Sequence, residues 1–164
     1  MWVKICGIRD VDAAEQIVAL KPDAVGLNFF AKSPRRVERS TAAEISAILP
    51  PEVESVGLFV NHELNDVVDT AQQCRLTMIQ LHGDEPPEFL AKLKSCSADV
   101  RILRAFRVDD SGLAEVADYL AECRKLDVCL AGCLIDARVD GEYGGTGHTA
   151  PWDLLADQYD ADRW

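Results

Sequence analysis

Apolar residues fall along this chain in short runs that alternate with helical stripes. The run at 3–6 ends at Gly7 and predicts a first strand. Residues 11–20 follow with apolar positions at 13, 14, 17, 18 and 20, the spacing of a helix with one buried face. The same unit then recurs. Strands are expected at 24–29, 55–60, 77–81, 101–106 and 133–136, the last with an alternative start at Val128. Helices are expected at 42–49, 64–74, 87–93, 113–125 and 149–156. Ser40 or Thr41 is the expected cap of the helix at 42–49, with Glu44 in the capping-box position after Thr41. Asn61 is expected to begin the helix at 64–74, and Pro87 suits a first helical turn, where its missing N–H would be unpaired anyway.

Strands that are apolar on both faces and separated by helices predict an α/β fold with a parallel sheet, joined by right-handed crossovers. The pattern fits an open doubly wound sheet and a closed (β/α) barrel equally. No linker or low-complexity segment divides residues 1–164, so one domain is expected. In both architectures the C-terminal strand ends share one rim, where sites are built. That rim collects Cys6 and Gly7, then Asn28 with the loop to Arg36, then Asn61. Gln80 with His82, Gly83 and Asp84 follows, then Arg107 and Asp109, and finally Asp136 with Arg138. Six polar strand ends in a row predict a pocket.

Composition narrows the class of function. The 164 residues carry 17 Lys+Arg against 28 Asp+Glu, a net charge of −11, with 48% hydrophobic residues. Such a chain folds, and its acidity argues against a nucleic-acid partner. No apolar run approaches the ~18 residues of a membrane-spanning helix, and the start of the chain has no leader pattern. No membrane partner is therefore expected, and the expected compartment is the cytoplasm. The charge is uneven: residues 1–40 hold seven basic and five acidic groups, and the rest hold 10 and 23. An anionic ligand would have to be met by local basic groups and backbone donors against the global field. Chance clustering on a solvated surface gives the same count. The six cysteines (6, 74, 96, 123, 129 and 133) form no Cys-x-x-Cys pair, so neither a zinc site nor a disulfide framework is expected. Cys129 and Cys133 stand in an apolar stretch and are expected to be small buried hydrophobes.

Several short motifs stand in a telling order. They are Val3-Lys4-Ile5-Cys6-Gly7-Ile8, Lys32-Ser33-Pro34-Arg35 and Val56-Gly57-Leu58-Phe59-Val60-Asn61. Ile79-Gln80-Leu81-His82-Gly83-Asp84-Glu85 and Leu134-Ile135-Asp136 follow, then Tyr143-Gly144-Gly145-Thr146-Gly147 and Trp152. In this order the chain resembles the phosphoribosylanthranilate isomerase family of tryptophan biosynthesis along essentially its whole length. The resemblance implies a small (β/α)₈ barrel, a TIM-type fold, that uses no cofactor and no metal. It implies a small phosphosugar substrate, N-(5-phosphoribosyl)anthranilate, and an Amadori rearrangement of aminoaldose to aminoketose.

The resemblance also implies roles. Cys6 matches the family's general base and Asp136 its general acid. Arg35 matches the arginine that meets the anthranilate carboxylate, a group suited to a guanidinium fork. Gln80 and His82 match polar site residues, and Gly144 and Gly145 match a glycine-rich loop that approaches the ligand. A thiol acts as a base only if its thiolate is favoured, and Lys4, two residues away on the same strand face, is placed to help. The acid has the opposite need: Asp136 must keep a proton near neutral pH, which calls for burial. Without the family pattern, a strand-end cysteine reads as a buried spectator and a strand-end aspartate as a helix cap. His82 reads equally as a structural hydrogen-bonding residue, and Arg36 as a solvated charge.

The match departs from the family in one respect. A barrel of this kind needs roughly 200 residues, whereas six βα units are counted here. The family's Gly-Gly-Leu and Asp-Val-Ser-Ser-Gly turns, which supply most of its phosphate site in units seven and eight, are not in the sequence. The expectation is a C-terminally truncated isomerase, weakly active alone, that self-associates or requires a complementing C-terminal segment. A non-catalytic remnant or interaction module, and a phosphosugar-binding barrel of different chemistry, are the alternatives.

Overall fold

In the computed structural model, residues 1–97, 99–137, 152, 153 and 156 are described. Strands and helices alternate through them in the order β1 (Lys4–Cys6), α1 (Val11–Val18), β2 (Ala24–Asn28), α2 (Arg39–Ile48), β3 (Glu54–Phe59), α3 (Leu64–Gln73), β4 (Met78–Leu81), α4 (Pro87–Cys96), β5 (Arg101–Val108), α5 (Ala114–Lys125) and β6 (Gly132–Ala137). The six strands form one sheet in the order β1-β2-β3-β4-β5-β6, and each neighbouring pair is parallel. A doubly wound sheet reverses its strand order partway across. This sheet never does, so the architecture is the (β/α) barrel type, with six strands of the wall described.

Alternation along the strands builds two layers of core. Val25, Leu27, Phe59, Ile79, Leu81 and Ile102 point outward and pack with Ala14, Ala42, Ile45, Val67, Leu90 and Leu93 of the helices. Val25, Ile45, Val67, Ile79 and Leu90 have no exposed surface. Ala24, Val56, Met78 and Leu103, joined by Leu134, form the inner layer on the concave side. This two-sided burial leaves every residue of β2 and β4 buried, with Asn28 and Gln80 as their polar members.

Several expected boundaries and roles are corrected. α2 begins at Arg39 behind Glu38 with no side-chain cap, so Ser40 and Thr41 lie inside the helix and no capping box forms. The cause is upstream: the Val37 N–H donates to the Asn28 carbonyl at 2.9 Å, which pins the chain to the sheet and leaves the helix to start at once. Asn61 does not begin α3, which starts at Leu64 after Glu63. Instead Asn61 adopts φ +52, a conformation asparagine tolerates, and turns its side chain to the next loop. Arg107 belongs to β5 itself rather than to the loop after it. Cys129 and Cys133 are exposed, and Cys74 and Cys123 are the buried cysteines. Cys129 lies in the α5–β6 connection, and Cys133 is on β6, which pairs with a neighbouring strand on one side only among the described residues.

Candidate active site

The C-terminal rim is assembled from the strand ends inward. Cys6 closes β1 and is half-buried. Its register partner is Gly26 on β2, and a β-carbon there would lie 2.6 Å from Cys6 Sγ. Glycine at 26 is therefore what leaves room for the thiol. Gly7 follows with φ +90, and its N–H donates to the Gly26 carbonyl at 2.9 Å, so the chain turns away directly after the cysteine.

The loop that carries Arg35 is held against this turn. Asn28, buried at the end of β2, donates to Ser33 Oγ at 3.0 Å and accepts from the Phe30 N–H at 2.9 Å. Ser33 Oγ also accepts the Arg35 N–H at 3.2 Å, and Arg9 donates to the Pro34 carbonyl at 3.2 Å. The Arg35 stem consequently lies over Gly7, where a β-carbon would come within 2.7 Å of its Cδ. Arg35 itself is exposed. Arg36 is separated from it. It pairs with Glu38 at 3.2 Å and lines a different cleft of about 520 Å³ with Arg39 and His62.

Two contacts cross the concave face. Lys4 Nζ donates to Gln80 Oε1, linking β1 to β4 over two intervening strands. His82 Nε2 stands 3.4 Å from Asp136 Oδ2, linking the end of β4 to β6 over β5. Such reach is possible only because the sheet curls. Burial lowers the pKa of Lys4, while the charge of Cys6 opposes that shift. Burial also lowers the pKa of His82; Asp136 opposes it, and Arg104, Arg107 and Lys4 reinforce it. The imidazole is thus neutral at pH 7. Among the described residues its Nε2 has no hydrogen-bond partner, and Asp136 Oδ2 is its carboxylate neighbour at 3.4 Å. The Asp136 side chain is 34% exposed, so it is less buried than the sequence argument called for and open to a ligand.

Sequence reasoning missed the buried support under this rim. Arg104 and Glu85 are 5% and 4% exposed and pair at 3.5 Å beneath the turn after β4. The one signal was an arginine flanked on both sides by apolar residues in the middle of a strand. Outside the support, Asp84 accepts from Arg107 and exchanges hydrogen bonds with Asn61, locking the loops after β3, β4 and β5 together. Gly144 and Gly145 lie outside the described residues, as do Tyr143, Thr146, Gly147 and Arg138. Among the described residues no helix is long and apolar enough to cross a membrane.

Comparison with known proteins gives a consistent result. The family model for N-(5'-phosphoribosyl)anthranilate (PRA) isomerase matches residues 3–163. The N-(5'-phosphoribosyl)anthranilate isomerase of Geobacter sulfurreducens is 45% identical over 156 residues, covering 94% of this chain and 70% of that protein. The crystal structure of phosphoribosyl anthranilate isomerase from Thermotoga maritima superposes with a TM-score of 0.76 at 34% identity, over 100% of this chain and 73% of that one. A further structure of the enzyme, in complex with reduced 1-(o-carboxyphenylamino)-1-deoxyribulose 5-phosphate, superposes with a TM-score of 0.68 at 33% identity, over 84% of this chain and 66% of that one. The concave polar rim, the unreversed parallel sheet and these matches agree: the chain belongs to the N-(5'-phosphoribosyl)anthranilate isomerase family.

Proposed function

We propose that this chain catalyses the Amadori rearrangement of N-(5-phosphoribosyl)anthranilate, with Asp136 as general acid and Cys6 as general base. The observation that supports it most is the pair of contacts across the curled sheet, Lys4 to Gln80 and His82 to Asp136. They gather an ammonium beside the thiol and a neutral imidazole beside the carboxyl. An acid and a base in different surroundings on one rim are what the reaction needs.

The Asp136 carboxyl gives its proton to the furanose ring oxygen. The bond from that oxygen to C1 of the sugar breaks, and the anthranilate nitrogen supplies the electrons of a C1=N iminium. The Cys6 thiolate then takes the proton from C2. The C–H electrons form a C1=C2 double bond and the iminium electrons return to nitrogen. The resulting enolamine gains a proton at C1 as its C2 hydroxyl gives one up, and becomes the 2-ketone. C1 is reduced as C2 is oxidised, so no external oxidant or reductant takes part. Lys4 stabilises the thiolate, Gln80 holds Lys4, and Arg35 takes the substrate carboxylate as a two-pronged donor. The ligand in the related complex supplies the substrate class, a phosphosugar carrying a carboxyphenylamino group. Residues 1–164 act as one domain in this reading, and a cytoplasmic setting accords with six cysteines that are all unpaired.

Turnover of the fluorescent substrate tests the assignment. Cys6→Ala and Asp136→Asn are each expected to lower kcat at least about 10²-fold, the lower end of what a proton-transfer group contributes, with the circular dichroism spectrum unchanged. An undiminished rate in either variant would remove that residue from its role.

A further inference from the structure

The turn after β4 is held by a buried charge pair that the proposed chemistry does not use. Arg104 sits on β5 and donates from Nη1 to the Leu81 carbonyl at 2.9 Å and from Nη2 to the Gly83 carbonyl at 2.9 Å. Those two carbonyls flank His82. Glu85 returns from the other side: its Oε2 accepts the Gly83 N–H at 2.9 Å, and its Oε1 accepts the Asn61 N–H at 2.8 Å. The Tyr119 hydroxyl donates to the Glu85 carbonyl at 2.8 Å, so α5 closes the assembly from behind. The guanidinium carbon lies 5.2 Å from the centroid of the Phe106 ring and 5.2 Å from that of Tyr119. His82 is thereby fixed on both sides by one planar fork, and its own N–H is bonded to the Phe59 carbonyl at 2.9 Å.

Burying an ion pair is an expensive way to brace a turn, because desolvation offsets most of the attraction. An apolar pair would fill the same volume. What a guanidinium adds is bidentate geometry, which an apolar side chain cannot supply. We infer that Arg104 and Glu85 are positioning residues, and that they hold His82 with its Nε2 3.4 Å from Asp136 Oδ2 so that the carboxyl is aimed at the substrate. The catalytic consequence rests on the acid role proposed for Asp136. The placement of His82 does not.

Arg104→Lys keeps the charge and loses the fork, and Glu85→Gln keeps the shape and loses the charge. The chain has three histidines, so imidazole ¹H–¹³C spectra of labelled protein are simple, and His82→Gln identifies the relevant signal. The charged groups facing that ring are Asp136 on β6, Arg104 and Arg107 on β5 and Lys4 on β1. In both variants the His82 signal should move or split. kcat should fall about tenfold or more with KM within about twofold, as expected when a reacting group is misplaced rather than substrate binding lost. A brace with only a structural role would lower Tm and leave the His82 signal where it was. That result overturns the inference, and so does a displaced His82 signal with unaltered kcat. Should Arg104→Lys fail to fold, Glu85→Gln carries the same comparison. If the parent chain shows no turnover while the His82 signal responds, the isomerase reading fails and the positioning of His82 stands.

Discussion

Lys4 Nζ on β1 is hydrogen-bonded to Gln80 Oε1 on β4 across the concave face of the sheet. An ammonium taken out of water loses hydration, and burial accordingly lowers the pKa of Lys4. The Gln80 carbonyl and the charge on Cys6 oppose that loss. In the proposed mechanism this ammonium is the partner of the thiolate. Lys4→Met is expected to slow iodoacetamide alkylation of Cys6 at neutral pH by about three- to tenfold, since the thiolate is the reacting species. Peptide-resolved mass spectrometry reads this, with the exposed Cys96 as internal standard. Equal Cys6 rates in parent and variant would show that the lysine does not support the thiolate.

Buried His82 gives the fold a pH dependence whose sign can be worked out. Its pKa is lowered in the folded chain, by burial first, with Asp136 opposing and Arg104, Arg107 and Lys4 adding to the shift. The unfolded chain therefore binds more protons than the folded one once pH falls below the ordinary histidine value of about 6.5. Stability is unaffected by this group above that value and is lost progressively as pH falls beneath it. The slope from one such group approaches about 1.4 kcal/mol per pH unit between its unfolded and folded pKa values. Urea unfolding at a series of pH values between 7 and 5 should show the decline, and His82→Gln should flatten it. The same slope in parent and variant would assign the decline to other groups.

Much of this fold is legible in the sequence because both of its periods are plain. Mostly apolar runs such as 77–81 mark strands, and the helical stripe read at 11–20 marks the helix found at Val11–Val18. Strand order is not legible, since the same parallel pattern serves a barrel and a doubly wound sheet. Cys6, Gln80 and Asp136 could be placed on one rim because strand ends on one side of a parallel sheet share a direction. Arg104 could not be assigned a role, because its partners beyond the adjacent Ala105 carbonyl are two backbone carbonyls and a carboxylate from a distant loop. Nothing local in residues 101–106 encodes them. The cap of α2 was misplaced for a similar reason. Ser40 and Thr41 have good capping chemistry, but the bond from Val37 to Asn28 decides where the helix begins.

Gly26 gives the sharpest test of how closely the thiol is held. It lies within β2 and is not among the positive-φ glycines, so its own backbone dihedrals admit alanine. Limiting the unfolded chain would stabilise such a variant by about 0.4–1 kcal/mol, which offsets part of any local strain. The obstacle is Cys6. The new methyl would sit 2.6 Å from its Sγ and 3.1 Å from its Cα. A terminal atom of a long side chain could swing aside, but Sγ is one bond from Cβ and the α-carbon belongs to the strand. The thiol must therefore rotate away or β1 must shift. A displacement of about 1 Å at a reacting group can lower the rate by about 10²-fold. Gly26→Ala is expected to reduce kcat at least about tenfold with Tm somewhat below that of the parent, and to change the alkylation rate of Cys6 in the same preparation. Parent-like kcat with a methyl at position 26 would mean that the thiol is not the positioned base, because no arrangement of Cys6 can keep its present Sγ position beside that carbon.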